Sequence, residues 1–424
     1  MRHFYVLTLL TLQAVSAGAQ APADIHGTWT AELRNGKIFL QLRAPAPRDW
    51  NGDRWNGDWS MGQTMPVDEL TGLPAAADNA DQFTVAAVKF ELRREAGTLL
   101  FNGSFRDGRG AGLFDFNPRA EFAAEMKRIG YNDDLPLWRR YQLAVHDVGP
   151  KYIAALKAEG FPGAGAPGVT NDKLTLDEVQ RAKTHGVTID YIRDIKGQGF
   201  RAATLESLVR TRDHGVTADF IKGMKAEGYT GATLEDFVRL RDHGVTQAYV
   251  QEMKRGGFSG ATIEDLVRAR DHGVTPEFVQ ELRGQGVTMP NLDGYVRLRD
   301  HGVRGSFVTE LKAAGYDKLS VEELIRVRDH GVTPAFVREL STSGFKNLPI
   351  DEVVRAKDHG VSADYVADMK GLGLKDLTLS QIVRLRDHGV TPGFVNHARS
   401  RGFNTIDPDE LVRLKNGGLW RDRP

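Results

Sequence analysis

The 424-residue sequence has no cysteine. This excludes disulfides, zinc–thiolate centres, thiol nucleophiles and a lipid anchor on cysteine. It has no surplus of either charge, since Lys+Arg and Asp+Glu both number 56. Nucleic-acid-binding proteins usually need a basic excess to meet phosphates, so nucleic acid is not expected as a partner. After the first residues, no stretch approaches the roughly 18 uninterrupted apolar residues of a transmembrane helix. There is no H-E-x-x-H, G-x-S-x-G, P-loop or G-x-G-x-x-G, the local signatures of zinc peptidases, serine hydrolases and nucleotide sites.

What the sequence does contain begins with an export signal. Arg2 and His3 give a short basic start, Phe4 to Val15 is mostly apolar, and Ala17-Gly18-Ala19 has the A-x-A form of a cleavage site. Residues 1–19 are therefore read as a signal peptide. The mature chain is expected in a bacterial periplasm or the surrounding medium. Its hydrophobic fraction of 41% is enough to bury a real core.

Residues 20–118 carry a β pattern. Thr28 to Leu33 and Lys37 to Leu42 are strand-like and flank the turn Asn35-Gly36. Val85 to Arg93, Leu99 to Phe105 and Gly112 to Phe116 follow, separated by Ala96-Gly97 and by Asp107-Gly108-Arg109-Gly110. Period-two alternation in the last two predicts one buried and one wet face. The expectation is a small antiparallel barrel or sandwich of five to seven strands.

From residue 119 the periodicity is helical and repeated. His185, His214, His243, His272, His301, His330, His359 and His388 are spaced by 29 residues, each followed by Gly-Val. A second glycine recurs at the same period from Gly199 to Gly402. A degenerate copy surrounds His146, and a Gly/Pro/Ala-rich insertion near 161–172 breaks the period. Such self-similarity marks a solenoid. Within one repeat, Thr188 and Thr204 are N-caps, Gly199 and Gly215 end the two helices, and Thr233 with Asp236 resembles a capping box. Proline at the first helical position in Pro276, Pro334 and Pro392 agrees. The fold class is thus α+β multidomain: the β domain, then an α-solenoid of about ten αα-hairpins over 119–418, then a tail at 419–424.

The histidine series (His214, His243, His272, His301, His330, His359, His388) invites a metal or catalytic reading. Stacked hairpins place equivalent residues about 9–10 Å apart. Two ligands of one zinc, each about 2.0–2.1 Å from the metal, stand much closer than that. A histidine ending a helix can instead meet free carbonyls and the negative dipole end. The reading is structural, with no metal and no cofactor. Two basic rows accompany the histidines. The outer row is Arg210, Arg239, Arg268, Arg297, Arg326, Arg355 and Arg384; the inner row includes Arg212, Arg241, Arg270, Arg299, Arg328 and Arg386. At about 100° per residue, Arg212 falls amid the apolar stripe of Leu205, Leu208 and Val209, and Arg210 on the far side. The inner row is therefore expected to be largely buried, paired with the aspartates beside the histidines or with helix-end carbonyls. Another reading of those aspartates is local pairing with the arginine three residues earlier. The outer row is expected to be exposed and free to meet a ligand.

The stretch from Asp49 to Trp59 carries Trp50, Trp55 and Trp59, which could stack on a sugar or peptide or serve as packed loop anchors. Asp49, Asn51 and Asp53 resemble the start of a calcium loop, but Arg54 stands where its glycine belongs and the closing glutamate is missing.

The motif Leu-Val-Arg-x-Arg-Asp-His-Gly-Val-Thr-x-x-Phe-Val resembles tandem repeats of bacterial envelope proteins, some of which follow a BlaR1-like M56 metallopeptidase. Gly112-x-Phe114-x-Phe116-x-Pro118 and Phe122 to Tyr131 are similar to the β-module beside those repeats. The peptidase motif and membrane helices of that family are missing here. The resemblance therefore implies an accessory or sensor-like role rather than peptidase activity. The function expected is a non-catalytic exported scaffold whose solenoid binds a protein or peptide. The alternatives are a sensor whose β domain holds a small apolar or sugar ligand and, more weakly, a hydrolase with a dispersed site.

Overall fold

The computed structural model describes residues 25–45, 58–74, 85–132, 134–161 and 174–418. The N-terminal stretch read as a signal peptide, Trp50 and Trp55, the Asp49–Asp53 run, most of the 161–172 insertion and the tail after 418 lie outside the described residues. The chain divides into two compact units, Met1–Ala218 and Asp219–Pro424.

Seven antiparallel strands form one sheet: β1 (Ile25–Arg34), β2 (Lys37–Pro45), β3 (Asp58–Pro66), β4 (Leu70–Thr71), β5 (Ala86–Arg94), β6 (Gly97–Arg106) and β7 (Arg109–Pro118). Their order is β3-β2-β1-β7-β6-β5-β4, and the sheet curls into a half-barrel. Among the described residues it is one open sheet whose edges are β3 and the two-residue β4. Burial alternates strictly along β2, with Ile38, Leu40, Leu42 and Ala44 inward. Asn35-Gly36 and Asp107-Gly108 all take positive φ, as the tight hairpins there require.

Trp29 anchors the core. Its Nε1 donates to the carbonyls of Asn102 (3.3 Å) and Leu113 (3.1 Å), and Phe90, Phe101 and Phe105 ring it. The indole lies directly over Gly103 and Gly112. A Cβ on either would come within 2.7–2.8 Å of it, so only glycine fits there.

Among the described residues, twenty helices follow in ten hairpins. The first unit holds α1 (Phe122–Arg128), α2 (Leu137–Val145), α3 (Pro150–Ala158), α4 (Leu176–Thr184), α5 (Ile189–Gly197) and α6 (Leu205–Asp213). Then come α7 (Ala218–Ala226), α8 (Leu234–Asp242), α9 (Gln247–Arg255), α10 (Ile263–Asp271), α11 (Pro276–Gly284), α12 (Leu292–Asp300) and α13 (Gly305–Ala313). The last are α14 (Val321–Asp329), α15 (Pro334–Thr342), α16 (Ile350–Asp358), α17 (Ala363–Gly371), α18 (Leu379–Asp387), α19 (Pro392–Ser400) and α20 (Pro408–Asn416). From α2 onward each has nine residues. Helices this short are marginal in isolation, so packing between neighbours must hold them.

The chemistry of the ends explains the uniform length. Thr188, Thr204, Thr246 and Thr275 accept the amide three residues on, and Thr233–Asp236 is a reciprocal capping box. At the other end His214 is the C-cap and Gly215 has φ +67°. The Val216 amide reaches the Thr211 carbonyl (2.9 Å) while Gly215 reaches Arg212 (3.0 Å), the paired bonds of a Schellman motif. Val216 is fully buried and leads into the next helix. The same Gly-Val corner recurs at 186–187, 244–245, 273–274, 302–303, 331–332, 360–361 and 389–390.

Candidate partner-binding surface

The histidines sit at the C-caps of the second helices, where His185 in the first unit and His243 to His359 in the second link neighbouring hairpins. His243 Nδ1 meets Asp271 Oδ1 at 2.7 Å, and His272–Asp300, His301–Asp329, His330–Asp358 and His359–Asp387 repeat this at 2.6–2.8 Å. In the first unit His185 meets Asp213 at 2.7 Å. Ionised carboxylates only accept, so Nδ1 carries the proton. The sequence reading of bonds to helix-end carbonyls is corrected: the acceptor is the aspartate 28 residues on, because the helical repeat brings it alongside the preceding C-cap. For these aspartates the local Arg–Asp reading is corrected for the same reason. The outermost links are neutral. His146 faces Thr184 Oγ1 (3.0 Å), and His388 faces the Asn416 amide nitrogen (3.3 Å).

The inner basic row is not buried. Arg212, Arg241, Arg270, Arg328 and Arg386 are exposed and Arg299 is half-buried. Each guanidinium lies 5.0–5.3 Å above an aromatic ring of the first helix in the same repeat: Arg212 on Tyr191, Arg241 on Phe220, Arg270 on Tyr249, Arg299 on Phe278, Arg328 on Phe307 and Arg386 on Tyr365. Helical phase aimed these side chains correctly toward the apolar face. They stand in the last turn, however, so their charged heads pass beyond the core and cover ring faces from outside. The ring hydroxyls point the other way. Tyr249 donates to Val274 O (3.0 Å) and Tyr365 to Val390 O (2.7 Å), and burial pushes both phenols up to about 12.

The outer row is exposed, as its phase requires, but most of it is already engaged. Arg239 pairs with Glu264 (2.5 Å), Arg268 with Asp293 (3.1 Å), Arg326 with Asp351 (2.6 Å) and Arg384 with Asp409 (2.6 Å); Arg297 pairs with Glu322. In every case the acid lies 25 residues on, in the first turn of the next second helix. The expectation of free guanidiniums is thus corrected at these rungs. Arg210 has interactions as well. Arg355 differs, because residue 380 is a serine and the Arg355 side chain has no partner among the described residues. Beside the Arg239–Glu264 pair lies an open depression of about 460 Å³, bordered by Tyr229, Asp236 and Thr262.

A third basic row went unrecognised in the sequence. Lys254, Lys312 and Lys370 each donate Nζ to the C-cap carbonyl of the preceding first helix, at Glu227, Gln285 (2.8 Å) and Ser343. Lys370 also lies over the Phe345 ring (4.8 Å). A basic residue recurs every 29 residues, at Lys196, Lys225, Lys254, Arg283, Lys312, Lys370 and Arg399 with Ser341 the exception, and that was the available signal.

In the first unit the sheet grips the opening hairpins. Trp59 is a strand residue of β3 rather than a loop anchor, and it contacts the rings of Trp138, Tyr141 and His146. Glu95, in the β5–β6 turn, accepts the Lys151 amide (3.1 Å) at the start of α3, where Gly149 leaves room for it. Asp147 occupies the left-handed position that glycine holds in later repeats (φ +53°). Its carboxylate faces both Arg94 Nε (3.5 Å) and Lys183 Nζ (3.0 Å). These groups line a cleft of about 710 Å³. Burial, with Arg139 adding to it, lowers the His146 pKa to about 4. Thr184 donates its hydroxyl to the Gln180 carbonyl (2.9 Å), so it accepts from His146 rather than being activated by it. The pair is therefore not a nucleophile and base.

Among the described residues, no group of three His, Asp or Glu side chains is arranged to hold a metal, and no helix is long and apolar enough to cross a membrane. No protein family and no curated protein matches the chain.

Proposed function

We propose that this protein is a non-catalytic exported scaffold whose solenoid binds an acidic protein or peptide along the outer arginine row. One observation carries the reading: the same guanidinium projects from successive second helices, with 43–53% of each paired side chain exposed and a single surface carboxylate holding it. Exposed ion pairs of this kind contribute only about 0–1 kcal/mol. A partner's carboxylates can replace the internal ones at little cost, and a periodic row suits an extended partner better than a small molecule. The inner arginines cover rings within their own repeats, and the histidines and lysines join neighbouring repeats, which leaves the outer row as the repeated charge available for exchange. The Trp50–Trp59 segment of the β domain is a second candidate contact. An envelope role like that of the repeat proteins beside M56 peptidases is compatible with this reading.

The sensor alternative finds less support, since Trp29, Phe90, Phe101 and Phe105 are buried against one another on the inward face of the sheet. The test is retention of envelope proteins by immobilised mature protein and by its Arg239→Glu/Arg268→Glu/Arg297→Glu variant. A partner held by the former, released by salt and lost from the latter is the expected result. A partner held equally by both contradicts the reading.

A further inference from the structure

The outer row has one incomplete rung. Along the second unit, the first turns of α10, α12, α14, α16 and α20 each supply an acid to the arginine of the preceding second helix: Glu264, Asp293, Glu322, Asp351 and Asp409. The first turn of α18 contains no acid at all; it reads Leu379-Ser380-Gln381. Ser380 is exposed at the position where the acid stands in the other repeats, and Gln381 is used in closing the capping box with Thr378 (2.9 Å). Arg355, on the adjacent α16, is exposed and has no partner among the described residues. Its neighbour Lys357 is turned away onto the Phe336 ring (5.0 Å) and cannot share the load.

We infer that Arg355 is the anchor of the partner-binding row: a carboxylate from an acidic peptide segment fills the place left by Ser380 and completes the ladder. The inference rests on the proposed function and narrows it to one rung. At Arg239 or Arg326 an incoming carboxylate must first displace one already seated. At Arg355 it displaces only water, so this rung engages first and the flanking rungs exchange afterwards. The expected ligand is a polypeptide carboxylate, because the missing element has the reach of an aspartate or glutamate side chain, supplied at five other rungs by this same chain.

The test uses the mature protein and a fluorescein-labelled octaglutamate peptide, followed by anisotropy at low salt. Arg355→Gln should weaken binding about five-fold, which corresponds to about 1 kcal/mol. Ser380→Asp retains the arginine but supplies the missing acid from within, and it should weaken binding by a similar factor. Arg326→Gln should change binding less than either. Circular dichroism of each variant establishes that it is folded. If Arg355→Gln and Ser380→Asp bind like the parent while the triple charge reversal abolishes binding, the anchor is wrong and the arginine-row reading stands. If the triple reversal also binds like the parent, both fail.

Discussion

Arg268 and Arg270 stand two residues apart on α10, yet they face different neighbours. Arg268 holds Asp293 in the next hairpin, with both side chains about half exposed. Arg270 lies over Tyr249 at 5.2 Å in its own hairpin. Removing a buried arginine and leaving its aspartate partner buried and unpaired would cost about 3–5 kcal/mol, the magnitude its helical phase alone suggests. An exposed guanidinium over a ring face contributes about 0.5–1 kcal/mol. Arg270→Ala should therefore destabilise by about 1 kcal/mol and Arg268→Ala by about 0.5 kcal/mol or less. In a double-mutant cycle Arg270→Ala should couple to Tyr249→Ala, and Arg268→Ala should not. Urea unfolding of the three single and two double variants measures this, and a loss above about 3 kcal/mol for Arg270→Ala would restore the buried assignment. His146 gives a different residue-scale expectation. Its folded pKa of about 4 lies below the ordinary value of 6.5, so the unfolded chain takes up the proton first as pH falls. The stability it contributes is full above about pH 6.5, declines toward pH 4 and is flat below. His146→Gln should flatten that part of the stability–pH curve, since glutamine stays neutral and can still donate to Thr184. An unchanged slope between pH 6.5 and 4 would count against the assignment of a neutral, buried imidazole.

At the scale of elements, helix ends were legible and strand edges were not. Threonine caps, terminating glycines and proline at the first helical position are local signals set by backbone chemistry, so ten hairpins could be read from the residues alone. The turns at Asn35-Gly36 and Asp107-Gly108 were legible for the same reason. β3 was missed. Its inward residues Trp59, Met61, Gln63 and Met65 do alternate with Ser60, Gly62, Thr64 and Pro66. Among those outward residues Gly62 and Pro66 are poor strand formers, tolerated because β3 is an edge. The candidate surface was half legible. Helical phase placed the outer arginines in solvent, but their engagement depends on residues 25 positions away. Such spacings acquire meaning only once the repeat geometry is known. The His–Asp links were invisible for the same reason, although both residues of each pair were singled out. Asp147 in place of glycine was a local signal of another kind: a non-glycine residue in the left-handed region marks a position where side-chain ion pairs, here with Arg94 and Lys183, offset backbone strain.

At the scale of the molecule, the second unit is a one-dimensional array whose links run between neighbours. His pairs with Asp 28 residues on, Arg with acid 25 on, and Lys with the carbonyl 27 back. An array of this kind has a stability close to a sum of repeat and nearest-neighbour terms. Removing one full period should therefore leave the remaining links in register. Deleting residues 304–332 joins Val303 to Thr333. His301 then meets Asp358 as it met Asp329, and Arg297 meets Asp351 as it met Glu322. Two local changes oppose each other. Arg304, which gives α13 no side-chain cap, is replaced by Thr333, which caps its helix, a gain of about 1 kcal/mol. Ser341 arrives where Lys312 donated to the Gln285 carbonyl, a loss of about 1.5–3 kcal/mol for a charge-assisted bond. One interface between buried stripes disappears with the repeat. The variant should unfold cooperatively at lower denaturant concentration, with the mean residue ellipticity of the parent. Deleting 304–318 removes the first helix of the pair but keeps the second, so two second helices become consecutive and the links that span the cut, His301–Asp329 and Arg297–Glu322, lose their spacing. That variant should lose helicity per residue and cooperativity together. If the two deletions behave alike, register between neighbouring repeats is not what holds this unit.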